Sequence, residues 1–155
     1  EKFSIQKGEN YMTHENKLID TNILVYAYDV SEKEKHHKCK SLVKQIWEKG
    51  GAIIALQNLM EFFVVVTTKV EKPLSVEHAR IIVEDILSSQ KWTVVDRDAA
   101  TFIRATEIVS AYRKHFWDAL IAACMLENGI EEIITENSKD FKNIPGIAVF
   151  DLFKD

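Results

Sequence analysis

The chain has 155 residues, 46% of them hydrophobic, enough for one domain with a sizeable core that needs neither disulfides nor a metal staple. Its 24 acidic and 20 basic side chains leave a formal net charge of -4, so long-range attraction will not gather phosphates, and any nucleic-acid contact must come from local patches. Cys39 and Cys124 match no metal-ligand spacing, no apolar run reaches the roughly 18–20 residues of a membrane span, and there is no signal-peptide core; the expectation is a cytoplasmic protein without membrane contact.

Residues 1–16 are polar and aperiodic and are expected to form a flexible leader, with Met12 a candidate native start; a single domain is expected over 17–155. Leu18 and Ile19 predict a short buried strand closed by Asp20 and followed at once by a helix. Over 31–49, Leu42, Val43, Ile46 and Trp47 fall at helical spacing, with Ser31 as N-cap and Gly50-Gly51 as the stop. Residues 52–56 read as a strand, whereas 57–69 is too long and continuous for one and predicts a helix despite its valines. Pro73 breaks the chain, Ser75 opens a helix through Leu87, and 92–95 reads as a strand. Helices follow over 98–112 and 116–127, the second ended by Gly129, then short strands at Ile133-Ile134 and 147–150. Such alternation predicts an α/β fold with a parallel sheet covered on both faces.

In such sheets ligands gather beyond the carboxyl ends of the strands, so acids placed there matter most. Asp20 closes the first strand, and Asp140 lies a few residues after Ile133-Ile134. Glu61 sits within Leu59-Met60-Glu61-Phe62-Phe63-Val64, and Asp118 within Phe116-Trp117-Asp118-Ala119-Leu120. A carboxylate pointing into an apolar core costs several kcal/mol unless it is paired or bound to a cation. Each acid also has a plain structural reading. Asp20, Thr21 or Asn22 could cap the next helix, Asp118 could be a first-turn acid favoured by the helix dipole, and Glu61 and Asp140 could face solvent.

Taken together and in order, Leu18-Ile19-Asp20-Thr21-Asn22-Ile23-Leu24-Val25-Tyr26, Glu61, Phe116-Trp117-Asp118-Ala119-Leu120-Ile121-Ala122-Ala123 and Ile134-Thr135-Glu136-Asn137-Ser138-Lys139-Asp140-Phe141 resemble the PIN-domain family, specifically its VapC-like toxin ribonucleases, over about residues 17–153. The resemblance implies a three-layer α/β/α sandwich with a central, mostly parallel sheet. It implies an acidic pocket that binds Mg2+ or Mn2+ and hydrolyses RNA, and it implies a homodimer and a cognate antitoxin that covers the pocket. Asp20, Glu61 and Asp118 match the family's most constant acids. Asn137 stands where many members have Asp, with Asp140 three residues on. The expected catalytic set is Asp20, Glu61, Asp118 and Asp140, with Asp20, Asp118, Glu61 and Asn137 toward the metal and Thr21, Asn22 and Thr135 fixing ligands and waters from behind.

Other chemistries find little support. His36 and His37 point about 100° apart on a charged helix, His78 and His115 have no partner at ligand spacing, and neither a phosphate-binding glycine loop nor a serine elbow is present. Lys33, Lys35, Lys38, Lys40 and Lys44 on one helix, Lys69 and Lys72 near a bend, and Arg97, Arg104, Arg113 and Lys114 are the local basic groups; with acids interspersed most read as solvated surface, and Arg113 and Lys114, just before the Asp118 segment, are the candidate phosphate track. Three readings follow: a toxin endoribonuclease, a PIN-domain nuclease of RNA processing that works without an antitoxin, and a weakly catalytic RNA- or protein-binding PIN domain, the last kept open by Asn137.

Overall fold

The computed structural model describes residues 13–154. Most of the expected leader, with Met12, lies outside the described residues. Its last four residues run onto the body of the domain, where the buried His14 ring meets the Gly50 carbonyl at 2.8 Å and the Asn16 amide donates to Gly51 O at 2.8 Å.

Five strands, β1 (Leu18–Ile19), β2 (Ala52–Ala55), β3 (Trp92–Val95), β4 (Glu132–Ile134) and β5 (Ala148–Phe150), form one all-parallel sheet in the order β3-β2-β1-β4-β5. Seven α-helices connect them among the described residues: α1 (Thr21–Tyr28), α2 (Glu34–Lys49), α3 (Leu56–Thr68), α4 (Val76–Ser88), α5 (Ala99–Tyr112), α6 (Phe116–Glu127) and α7 (Ser138–Phe141). The alternation of side chains along each strand separates two cores. Ile19, Ile54 and Ile134 pack against α1–α4, while Leu18, Ala55 and Ile133 pack against α5, α6 and Phe141 of α7. These are the three layers expected, with the sheet between them.

Strand β1 has two residues, yet it is the centre of the sheet: Leu18 pairs with both Ile53 and Ile133, and Ile19 pairs with Ile134. Both side chains are fully buried, and each contributes about 1.5–3 kcal/mol by leaving water. From β1 the chain moves outward through β2 to β3, then crosses back to place β4 on the other side of β1. The switch point therefore lies between β1 and β4, where an open α/β sheet forms a crevice past its carboxyl ends.

Two local expectations are corrected. Ser31 is not the N-cap of α2: the Asp29 carboxylate takes the Ser31 amide and hydroxyl, which closes a 3-10 turn over Val30–Glu32, and α2 starts after Lys33, whose φ of 46° breaks the run. Leu56 is the first residue of α3, so β2 ends at Ala55. Among the described residues, no helix is long and apolar enough to cross a membrane.

Candidate active site

Asp20 leaves β1 and caps α1, and the tight turn drives its carboxylate into the switch point, where the residue is 6% exposed. Four donors surround it. The Thr21 amide (2.8 Å) and Asn58 Nδ2 (3.2 Å) donate to Oδ1, while Thr135 Oγ1 (2.7 Å) and Asn22 Nδ2 (3.3 Å) donate to Oδ2. Burial still pushes its pKa up to about 6; the bonds from Thr135 and Thr21 pull down, and the charges of Glu61 and Asp140 push up.

Glu61 is half-buried on α3. Thr21 Oγ1 donates to its Oε2 at 2.9 Å and Gln57 Nε2 to its Oε1 at 2.8 Å. Asp118 arrives on the first turn of α6, also half-buried, and accepts no hydrogen bond from any described residue. Burial, then the charges of Asp140, Asp20 and Glu61, push its pKa up to about 6, with His115 opposing. Asp20, Glu61 and Asp118 line one cleft of about 470 Å3 with Thr21, Asn22 and Asn137. Thr135 lies beneath it, fully buried, and accepts from the Asn137 amide at 3.0 Å. Asp140 is not on the cleft wall; it sits on α7, close enough for its charge to act on both Asp20 and Asp118.

Three residues that sequence reasoning passed over complete the site. Gln57 and Asn58, in the first turn of α3, hold Glu61 and Asp20; the available signal was two amides directly after a strand, at its carboxyl end. Glu136 accepts from Tyr26 Oη and Lys35 Nζ, and its amide donates to Asn22 Oδ1 at 3.2 Å, which ties the β4 loop to α1 and α2. Burial alone would raise the Glu136 carboxyl, but those two bonds hold it below the ordinary range.

None of Asp20, Glu61, Asp118 and Asp140 forms an ion pair among the described residues. Carboxylates this crowded and desolvated are short of positive charge, and an oxygen-only donor set suits a hard divalent cation. Among the described residues, no group of three acids, histidines or cysteines closes into a ready cage for an ion.

The chain is similar to several solved structures. A chain of a toxin-antitoxin complex from Klebsiella pneumoniae superposes with a TM-score of 0.63 at 23% identity, covering 90% of this chain and 99% of that one. A chain of DNA-bound VapBC from Salmonella typhimurium gives 0.61 at 24% identity, with 87% and 96% covered. VapC20 of Mycobacterium tuberculosis, described as a Sarcin-Ricin loop cleaving toxin, gives 0.57 at 16%, with 75% and 85% covered. No curated protein sequence matches the chain. The PIN domain profile matches residues 17–147, nearly all of the folded body and every acid of the cleft, and the chain therefore belongs to the PIN domain family.

Proposed function

We propose that the cleft binds Mg2+ or Mn2+ and hydrolyses RNA phosphodiester bonds, and that the protein is the toxin half of a toxin–antitoxin pair. The observation that carries this reading is the set of acids at the β1/β4 switch point, left without a cationic partner among the described residues, with Asp20 and Asp118 raised by burial and by the charges of their neighbours. Asp20, Glu61 and Asp118 would hold the ion, with Asn137 offering an amide oxygen and Asp140 adding charge. When bound, the cation would offset phosphate charge and acidify a water for attack on phosphorus.

The protein's own part is orientation. Thr135, Asn22, Asn58 and the Thr21 amide fix both oxygens of Asp20, and Thr21 and Gln57 fix those of Glu61, so little reorganisation is left for the reacting state. Lys69 lines the same cleft, where it can meet an RNA phosphate. The likeness to VapC20 supports RNA as substrate, and the likeness to chains of toxin-antitoxin complexes supports a cognate antitoxin. A homodimer is supported by Met60 and Val64, exposed one turn apart on α3, and by Trp117, 60% exposed on α6; light scattering should then give the mass of two chains. The free, buried cysteines suit a cytoplasmic setting.

Purified protein incubated with a mixed RNA pool should cleave it with Mg2+ or Mn2+ and stop in EDTA; cleavage that persists in EDTA rejects metal dependence. Toxicity on expression, relieved by the product of the neighbouring gene, separates the toxin from a nuclease of RNA processing. Asn137 favours a second, binding-only reading: it stands exposed on the cleft with an amide in place of a charge. Cation binding without cleavage would support that reading.

A further inference from the structure

Glu61 and Asp118 reach the cleft from opposite layers of the sandwich, so folding of either layer alone does not fix their separation. One side chain spans the gap. Gln57, 6% exposed in the first turn of α3, donates through Nε2 both to Glu61 Oε1 at 2.8 Å and to the carbonyl of Trp117 at 3.1 Å, the residue immediately before Asp118. Among the described residues it is the one side-chain hydrogen bond running directly between a helix of the α1–α4 layer and a helix of the α5–α7 layer. The amide cannot turn over, because its oxygen would then face a carboxylate and a carbonyl, both acceptors. In the orientation it holds, Gln57 Oε1 is buried without a hydrogen-bond partner among the described residues. An apolar side chain of similar size would avoid that cost but leave Glu61 Oε1 and the Trp117 carbonyl without this donor, two effects of opposite sign, so the net stabilisation of the fold by the amide is small.

We propose that Gln57 is a positioning residue: by gripping Glu61 and the Trp117 carbonyl together it sets the separation of the Glu61 and Asp118 carboxylates, and with it the affinity of the cleft for a divalent cation. The inference rests on the reading of these acids as a cation site. Gln57 touches neither substrate nor ion; it acts through Glu61 and through the first turn of α6. Without its bond, two like-charged carboxylates on separate layers would be free to separate, and a cation that drew on both would be held less well.

The test is Mn2+ titration by calorimetry on the full chain and on Gln57→Leu and Gln57→Met, with thermal unfolding of each in EDTA. Both variants are of similar size and remove the donor. The expected result is Mn2+ affinity lowered about 10-fold or more, while unfolding in EDTA occurs at the same temperature or higher. A purely structural glutamine would give the reverse, a lower unfolding temperature with unchanged affinity for Mn2+ in the folded protein, and that result overturns the proposal. If the unaltered chain binds Mn2+ and both variants bind it equally well, the role of Gln57 fails while the cation site stands. If the unaltered chain binds no Mn2+, the cation site fails and this inference with it.

Discussion

Asp20 and Asp118 share a pKa near 6 and a cleft, but they are held in opposite ways. Asp20 is sunk at the end of the central strand under four hydrogen bonds and caps a helix as well. Asp118 rides on the first turn of α6 and accepts no hydrogen bond from any described residue. The first acid has a part in the fold as well as in the proposed chemistry. The second serves the fold only through its favourable place at a helix N-terminus, and repulsion from three neighbouring acids offsets that benefit. A carboxylate kept where nothing in the fold requires it is the more informative of the two.

The largest effect should come from removing either charge. Asp20→Asn and Asp118→Asn are each expected to cost more than about 100-fold in metal-dependent RNA cleavage, above the range for loss of a supporting hydrogen bond. The comparison predicts a split in stability. Asp118→Asn should fold as well as the parent or better by circular dichroism and thermal unfolding, whereas Asp20→Asn sets an amide N–H against donors and should gain less or lose. Equal stabilities for the two variants would erase the distinction.

A pH series sharpens the same contrast. The folded carboxyls titrate near 6 and an unfolded Asp near 3.8, so between those values the folded state binds more protons and stability falls as pH rises. For Asp20 the loss, complete above about pH 6, is roughly 3 kcal/mol, and for the more exposed Asp118 it is smaller. In EDTA, the stability gained through Asp118→Asn should therefore be small at pH 4.5 and larger at pH 7.5. A gain that shrinks with rising pH contradicts the assignment.

Thr135→Val tests the support beneath Asp20. It removes the 2.7 Å bond that does most to lower the Asp20 pKa, so the pH at which cleavage develops should move upward and the rate at neutral pH should fall about tenfold. The smallest effect is expected from Asn137→Asp, which adds a charge on the cleft wall; calorimetry should show Mn2+ bound a few-fold more tightly.

The layered fold was legible because hydrophobic runs, breakers and caps agree at every strand. The 3-10 turn was not, because Ser31 is as good a cap by composition as it is a partner for Asp29; only the φ of Lys33 decides between them. Helix α7 is a single turn, too short for periodicity to show. At the site, Asp20, Glu61 and Asp118 stood out because acids are conspicuous in apolar segments. Gln57 and Asn58 are uncharged and carry no such penalty in a sequence pattern, yet they occupy the same kind of place after β2 that Asp20 occupies after β1.

The central claim is most directly tested by thermal unfolding of the unaltered chain and of Asp118→Asn with and without Mn2+. At about 100 times its dissociation constant, a bound ion adds about 2.7 kcal/mol, or roughly 5–10 °C for a domain of this size. That rise is expected for the unaltered chain, and its loss in Asp118→Asn. An unaltered chain whose unfolding temperature ignores millimolar Mn2+ would contradict it.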